Sequence, residues 1–369
     1  MPSKADMRNW TGRFGRLHVS RPAASATLAV IFACSLWLIY RLDPVRLFGL
    51  YQDDTLFMGG ALALAENRGH LIPSLPNTPV QTKYPVFYPW VLSFVWRWNP
   101  EFPSNLDQAV ALSAFFACFA LWACYRLMRC LAAGRGLSLA ITAFCGLHPV
   151  FLQIGSRIMT DVPMMGLAFV SLVLLQASVK KQAPVWLPAL SGVIMAAAVL
   201  TRLIAVTFLV AEVAFTLYRR GYRPTVIFAA CSVPIVCIVL FLQGNNEPLE
   251  AWAWGGDAGF RQTWLYYTSY MGFWKLSVPD LDRFLTMLGQ NTIQFLLMPA
   301  SYFLFLVIEQ EGALVALLTH LAVTFAAFHG LFRHGKANGW SAVHLAVPLY
   351  CAVLLVWSHG GYMLRFGLP

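Results

Sequence analysis

Charge is what this sequence has least of. Asp, Glu, Lys and Arg together make up 11% of its 369 residues, against roughly one-quarter in soluble domains, while apolar side chains make up 59%. That balance excludes a soluble globular domain and, with a positive mean hydropathy, points to an integral membrane protein. The apolar runs do not alternate with period two, so the spans are helical and not the strands of a barrel. The eight cysteines include no Cys-x-x-Cys pair, and Cys118, Cys124, Cys130, Cys231 and Cys237 fall inside or beside apolar runs. Free buried thiols fit that distribution; a disulfide framework or zinc site does not. There is no solenoid-length repeat, no low-complexity tract and no soluble domain of useful length, so residues 1–369 read as one membrane domain.

About 20 mostly apolar residues suffice to cross the hydrocarbon. Such stretches are expected at 23–40, 106–128, 139–154, 162–179, 185–200, 203–218 and 225–242, with further apolar sequence at 285–308, 313–332 and 342–357. Arg333, His334 and Lys336 also ask for the cytoplasmic side, which leaves room for a single full crossing between about 285 and 332, and Glu309 and Glu311 interrupt that stretch, so part of it is expected along the interface. The first run follows a long polar lead and precedes no small-residue cleavage pattern, so it reads as an uncleaved signal anchor. The expected fold is an all-α polytopic membrane bundle.

The formal charge of +10 does not mark a nucleic-acid surface, because the basic residues cluster between spans. The tail at 1–22, then Arg126, Arg129 and Arg135, then Lys180 and Lys181, then Arg219, Arg220 and Arg223, all count to one side of the membrane. The positive-inside rule makes that side cytoplasmic. The loop at 42–105, the turn before Asp161, the turn at Arg202 and the loop at 243–284 then face outward. The lack of large soluble loops favours a bacterial inner membrane with these loops in the periplasm.

The first outward loop contains Tyr51, Gln52, Asp53 and Asp54. Phe57, Met58, Ala61, Leu62, Leu64 and Ala65 then predict a short interfacial helix, with Asp53 as its N-cap and Gly69 as its terminator. Its macrodipole favours ionised carboxylates at that end, and an ionised carboxylate can act as general base. Capping alone accounts for the pair equally well. Farther on, Lys83 leads Tyr84, Pro85, Val86, Phe87, Tyr88 and Pro89. Such a lysine either pairs with a lipid phosphate or snorkels from an aromatic belt. In the second loop Arg157 precedes Thr160, Asp161 and Pro163, where Thr160 or Asp161 suits an N-cap and Pro163 the first turn. Asp53, Asp54, Lys83, Arg157 and Asp161 thus share one predicted face, where a common site is possible.

These landmarks, with Glu66 to Gly69 and Leu200, Thr201 and Arg202, resemble in order and topology the GT-C membrane glycosyltransferases, most closely the protein O-mannosyltransferase and aminoarabinose-transferase-like branch. The resemblance implies a GT-C-type bundle with interfacial helices in its outer loops. It also implies a sugar on a polyprenyl phosphate as donor, and a lipid, glycan or protein acceptor arriving from outside. The acid of the first loop, Asp53 or Asp54 with Asp53 favoured, would take the acceptor's proton during an inverting displacement. Lys83 would stabilise the departing phosphate. Asp161 matches the second acidic position, to orient the acceptor or hold a divalent metal. Arg157 and Arg202 would contact phosphate, although an ion pair explains Arg202 as well. Tyr51, Tyr84 and Tyr88 would line the substrate.

The chain departs from the branch at Thr82, where some members carry an acid, and at Pro85-Val86, where Pro-Pro is usual; both put a borrowed metal site in doubt. Near the end, Gly360 to Pro369 resembles an arginine-aromatic-proline element that opens a late span, with Arg365 as a phosphate ligand and the sequence stopping short of that span. The outer loop at 243–284 holds Trp252, Trp254, Trp264, Tyr266, Tyr267, Tyr270, Phe273 and Trp274, suited to interfacial anchoring before sugar stacking. A polytopic transporter or flippase shares the hydropathy and is the alternative; it would need polar groups along a path through the bundle.

Overall fold

A computed structural model describes residues 19–42, 44–50, 52–75, 78–179, 183–219, 221–244, 282, 285–286, 288–293 and 313–355. Tyr51, Arg365, nearly all of the 243–284 segment and residues 294–308 lie outside them. Among the described residues the fold is helical throughout; the one β feature is an isolated bridge between Leu71 and Val80.

The helices are α1 (Arg21–Arg41), α2 (Gln52–Ala65), α3 (Phe87–Trp98), α4 (Leu106–Cys130), α5 (Arg135–Leu147), α6 (Pro149–Gly155), α7 (Asp161–Ser178), α8 (Trp186–Thr201), α9 (Val206–Tyr218, after a 3-10 turn at Leu203–Ala205), α10 (Tyr222–Gly244), α11 (Ala313–Asn338) and α12 (Ala342–Leu355). Among the described residues four are long and apolar enough to cross a membrane: α1, α4, α7 and α10. The expected span at 139–154 is not straight. Pro149 cannot continue the helix, and His148 ends α5 and caps α6, its Nδ1 accepting from the Val150 N–H over 3.2 Å, so the two segments meet at 63°.

The core falls into two apolar clusters. One joins α1 to α6 around Ile39, Phe57, Tyr88, Leu121 and Phe151; the other joins α7, α8, α9, α10 and α12 around Met195, Ala198, Phe208, Phe228 and Tyr350. Helices α8 and α10 touch closely at Gly192, where an added Cβ would stand 2.5 Å from the Phe228 carbonyl oxygen. Small residues at such crossings let backbones approach in membrane bundles.

The basic groups mark one end. Arg135 donates to the Val19 carbonyl over 3.0 Å, Arg219 to the Trp340 carbonyl over 3.1 Å, and the His334 Nε2 to the Leu131 carbonyl over 2.9 Å. The C-termini of α4, α9 and α11 and the N-termini of α1, α5 and α12 therefore meet there.

Midway between the ends, Ser171 of α7, Ser191 of α8 and Glu212 of α9 form a buried polar contact, all 0% exposed. The Ser171 hydroxyl lies 3.0 and 2.9 Å from the two Glu212 carboxyl oxygens and 2.9 Å from the Ser191 hydroxyl.

Candidate active site at the acidic end of the bundle

The opposite end gathers the predicted polar residues. Helix α2 starts at Gln52, so Asp53 and Asp54 both occupy its first turn and Asp53 is not its N-cap. Its terminator is Asn67, not Gly69. Asn67 takes the left-handed conformation (φ 59), with its N–H donating to the Leu64 carbonyl over 3.2 Å and the Arg68 N–H to the Ala63 carbonyl over 2.9 Å. Those two bonds make a Schellman ending, which asparagine serves as well as glycine.

Asp54 is 1% exposed. Its Oδ2 accepts from the Gly49 N–H over 2.9 Å and its Oδ1 from the Thr55 N–H over 2.7 Å. Gly49 turns the chain through a positive φ of 86°, which delivers that N–H. Burial pushes the Asp54 carboxyl up from its usual range, while the two N–H groups and the Arg157 guanidinium pull it back. Asp54 and Arg157 face the same hollow, with Val45, Phe48, Leu106 and Ser156. Its cavity volume of about 10 Å³ is room for about one water-sized sphere, so it does not by itself enclose a sugar.

Asp53 differs. It is half-buried, and its Oδ1 accepts from the Tyr84 hydroxyl over 2.7 Å. The segment carrying Tyr84 is fixed from several sides. Gln81 Oε1 accepts from the Lys83 N–H over 2.9 Å and the Tyr84 N–H over 3.2 Å, and Phe57 of α2 meets the Tyr84 and Tyr88 rings edge-on at 5.2 and 5.7 Å. Across the α2–α3 contact Trp96 Nε1 donates to the Met58 carbonyl over 3.0 Å. Lys83, 4% exposed, places Nζ 5.0 Å from the Tyr84 ring centre. Burial lowers its ammonium to about 8, while the Asp53 charge pulls the other way.

A second polar cluster stands where α7 begins and α8 ends. Arg202 Nη1 lies 2.8 Å from Asp161 Oδ1 and donates to the Thr160 hydroxyl over 3.2 Å. Thr160 makes no side-chain cap bond to α7, contrary to the capping expectation; its oxygen is turned to Arg202. The ion-pair reading of Arg202 is the observed one. Asp161 is therefore committed to a cation, and among the described residues no group of three or more His, Cys, Asp or Glu is placed to hold a metal. Tyr350 of α12 feels both charges.

The expected residues thus share one end of the bundle but not one cavity. Asp54 and Arg157 line the hollow; Asp53, Lys83 and Asp161 do not. Tyr84 belongs to the site. Tyr88, 0% exposed with its hydroxyl 3.1 Å from Ser113 Oγ, packs in the core and is no substrate contact in this arrangement. Gly49 and Gln81 escape sequence reading because they act through turn geometry, which no residue type announces. No known family model matches this chain, and no curated protein matches it.

Two carboxylates one residue apart thus differ in kind. Asp54 is enclosed and saturated by backbone donors, which suits an anchor. Asp53 is half-buried, oriented by a phenol and set beside an ammonium, which suits proton transfer next to a developing negative charge.

Proposed function

We propose that this protein is a membrane glycosyltransferase of the GT-C type, moving a sugar from a polyprenyl-phosphate donor to a lipid, glycan or protein acceptor at the acidic end of the bundle. The observation that carries this reading is the Asp53, Tyr84 and Lys83 constellation, a partly accessible base held by a hydroxyl next to a buried cation. Asp53 takes the proton from the acceptor hydroxyl or amine as that atom bonds to the anomeric carbon. The bond from that carbon to the phosphate oxygen breaks, with inversion, and polyprenyl phosphate leaves with the electron pair. The Lys83 and Arg157 charges offset the charge that develops on it. Asp54 anchors the turn and Asp161 holds Arg202, so neither is assigned the proton.

The test is transfer of label from a panel of polyprenyl-phosphate sugars by purified protein in lipid. Asp53→Asn is expected to lower transfer by roughly 100- to 10,000-fold, while Asp54→Asn weakens it through folding. Full turnover in Asp53→Asn removes the base assignment, and no transfer from any donor by the parent protein removes the enzyme reading. The buried Glu212 favours a second reading, a transporter or flippase, in which the labelled sugar crosses the bilayer still joined to its lipid.

A further inference from the structure

Glu212 is an acid that the proposed reaction does not use. Ser171 lies ten residues after Asp161, Glu212 ten after Arg202, and Ser191 ten before Thr201 at the end of α8. At about 1.5 Å per residue the three sit about 15 Å inside the acidic end, near the middle of a hydrocarbon layer about 30 Å thick.

An ionised carboxylate at that depth needs donors. Among the described residues Glu212 makes no salt bridge, and its hydrogen-bonding neighbour is the Ser171 hydroxyl, one proton against two carboxyl oxygens at 3.0 and 2.9 Å. That same hydroxyl also faces the Ser191 carbonyl at 3.1 Å, while the Ser191 hydroxyl donates to the Ser171 carbonyl over 2.9 Å. With an ionised Glu212 the donors fall short, a costly arrangement in an apolar bundle. With a carboxylic acid the count closes. The Glu212 O–H donates to Ser171 Oγ, the Ser171 O–H to the Ser191 carbonyl and the Ser191 O–H to the Ser171 carbonyl.

We infer that Glu212 is a proton-binding site in the middle of the bundle, and that the bound proton ties α7, α8 and α9 together beneath Asp161 and Arg202. The charged and imidazole groups on the neighbouring helices stand at helix ends: Asp161 opens α7, Arg223 opens α10 and His344 opens α12, and none is hydrogen-bonded to Glu212. Helix α8 carries no titratable side chain. The inference does not depend on sugar transfer, since it concerns a proton and three helices whichever reaction the acidic end performs.

Infrared difference spectroscopy of the purified protein in lipid at neutral pH tests it. The parent is expected to show a carboxylic-acid C=O stretch that is lost in Glu212→Gln, whose amide donates to Ser171 as the acid does. Ser171→Ala is expected to keep that band and move it to higher frequency, because the acid's O–H loses its acceptor. A carboxylic-acid region identical in parent and Glu212→Gln overturns the site. A band lost in Glu212→Gln but unmoved by Ser171→Ala overturns the tie between helices. Should Glu212→Gln fail to accumulate, the Ser171→Ala shift against the parent decides alone.

Discussion

The Tyr84 hydroxyl donates to Asp53 Oδ1 over 2.7 Å, and this bond joins the first turn of α2 to the segment that carries Lys83. It holds one carboxyl oxygen in place on a half-buried side chain, so the Asp53 carboxylate and the Lys83 ammonium keep a fixed relation without a shared helix.

Removing the Asp53 carboxylate and removing the Tyr84 hydroxyl that holds it should differ in size. Asp53→Asn is expected to lower kcat by roughly 100- to 10,000-fold, the usual contribution of general base catalysis. Tyr84→Phe removes a hydrogen bond to a charged acceptor, about 1.5–3 kcal/mol, and is expected to lower kcat by roughly ten- to a hundredfold with a modestly lowered unfolding midpoint. Steady-state transfer assays beside thermal unfolding measure both.

The Lys83 ammonium sets opposite pH trends for stability and activity. Burial holds it at about 8 against an ordinary 10.5. Between those values the unfolded chain binds more protons than the folded one, so stability rises with pH across that window. Donor turnover should instead fall above about pH 8, as the charge facing the phosphate is lost. Lys83→Gln should flatten both profiles and start from the low-activity plateau.

Asp54 should behave as an anchor. Asp54→Ala strips the Gly49 and Thr55 N–H groups of their acceptor, with an expected loss of about 2–3 kcal/mol. Asp54→Asn keeps one acceptor oxygen and should lose less. The comparison to make is unfolding in matched detergent, and equal midpoints for all three proteins would contradict the assignment.

The Asp161–Arg202 pair should show strong coupling. Breaking a buried pair from one side typically costs about 3–5 kcal/mol, whereas replacing both partners by apolar groups is often near neutral. Asp161→Leu and Arg202→Met singly are therefore expected to destabilise more than the two together. A double-mutant cycle by thermal unfolding reads the coupling directly.

The α8–α10 contact leaves no space for a methyl group. With an added Cβ 2.5 Å from the Phe228 carbonyl oxygen, Gly192→Ala should destabilise by about 1–3 kcal/mol through overpacking, seen as a lower unfolding midpoint without loss of helix content.

Much of this was legible in the residues. The bounds of α1, α4, α7, α8 and α10 follow the apolar runs to within a few residues, because burial and lipid exposure both demand apolar side chains there. The basic residues Arg129, Arg135 and Arg219 and the Asp53, Lys83, Arg157 and Asp161 landmarks likewise sort to opposite ends. What escaped depends on contacts between distant segments. The Asp53–Tyr84 bond, the Gly49 donor to Asp54 and the capture of Thr160 by Arg202 each need two segments brought together, and periodicity carries no such information. Two misses did have signals. Pro149 interrupts an otherwise apolar run and biases His148 away from helix, and Glu212 is the lone acid of α9, a position that marks a polar role in a bundle by default.

The bend at His148 and Pro149 aims the site. Had α5 continued straight, the far end of the seven-residue α6 would lie about 11 Å from where the 63° turn puts it, and Arg157 would leave the hollow that it shares with Asp54. The length of α6 matters as much as its angle. One inserted residue would rotate everything beyond it by roughly 100°, swinging the guanidinium off target while every side chain stayed in the sequence. Spacing between a hinge and its cargo is therefore under the same constraint as the cargo, and a search for related chains would do well to require the proline-to-arginine interval as strictly as the arginine.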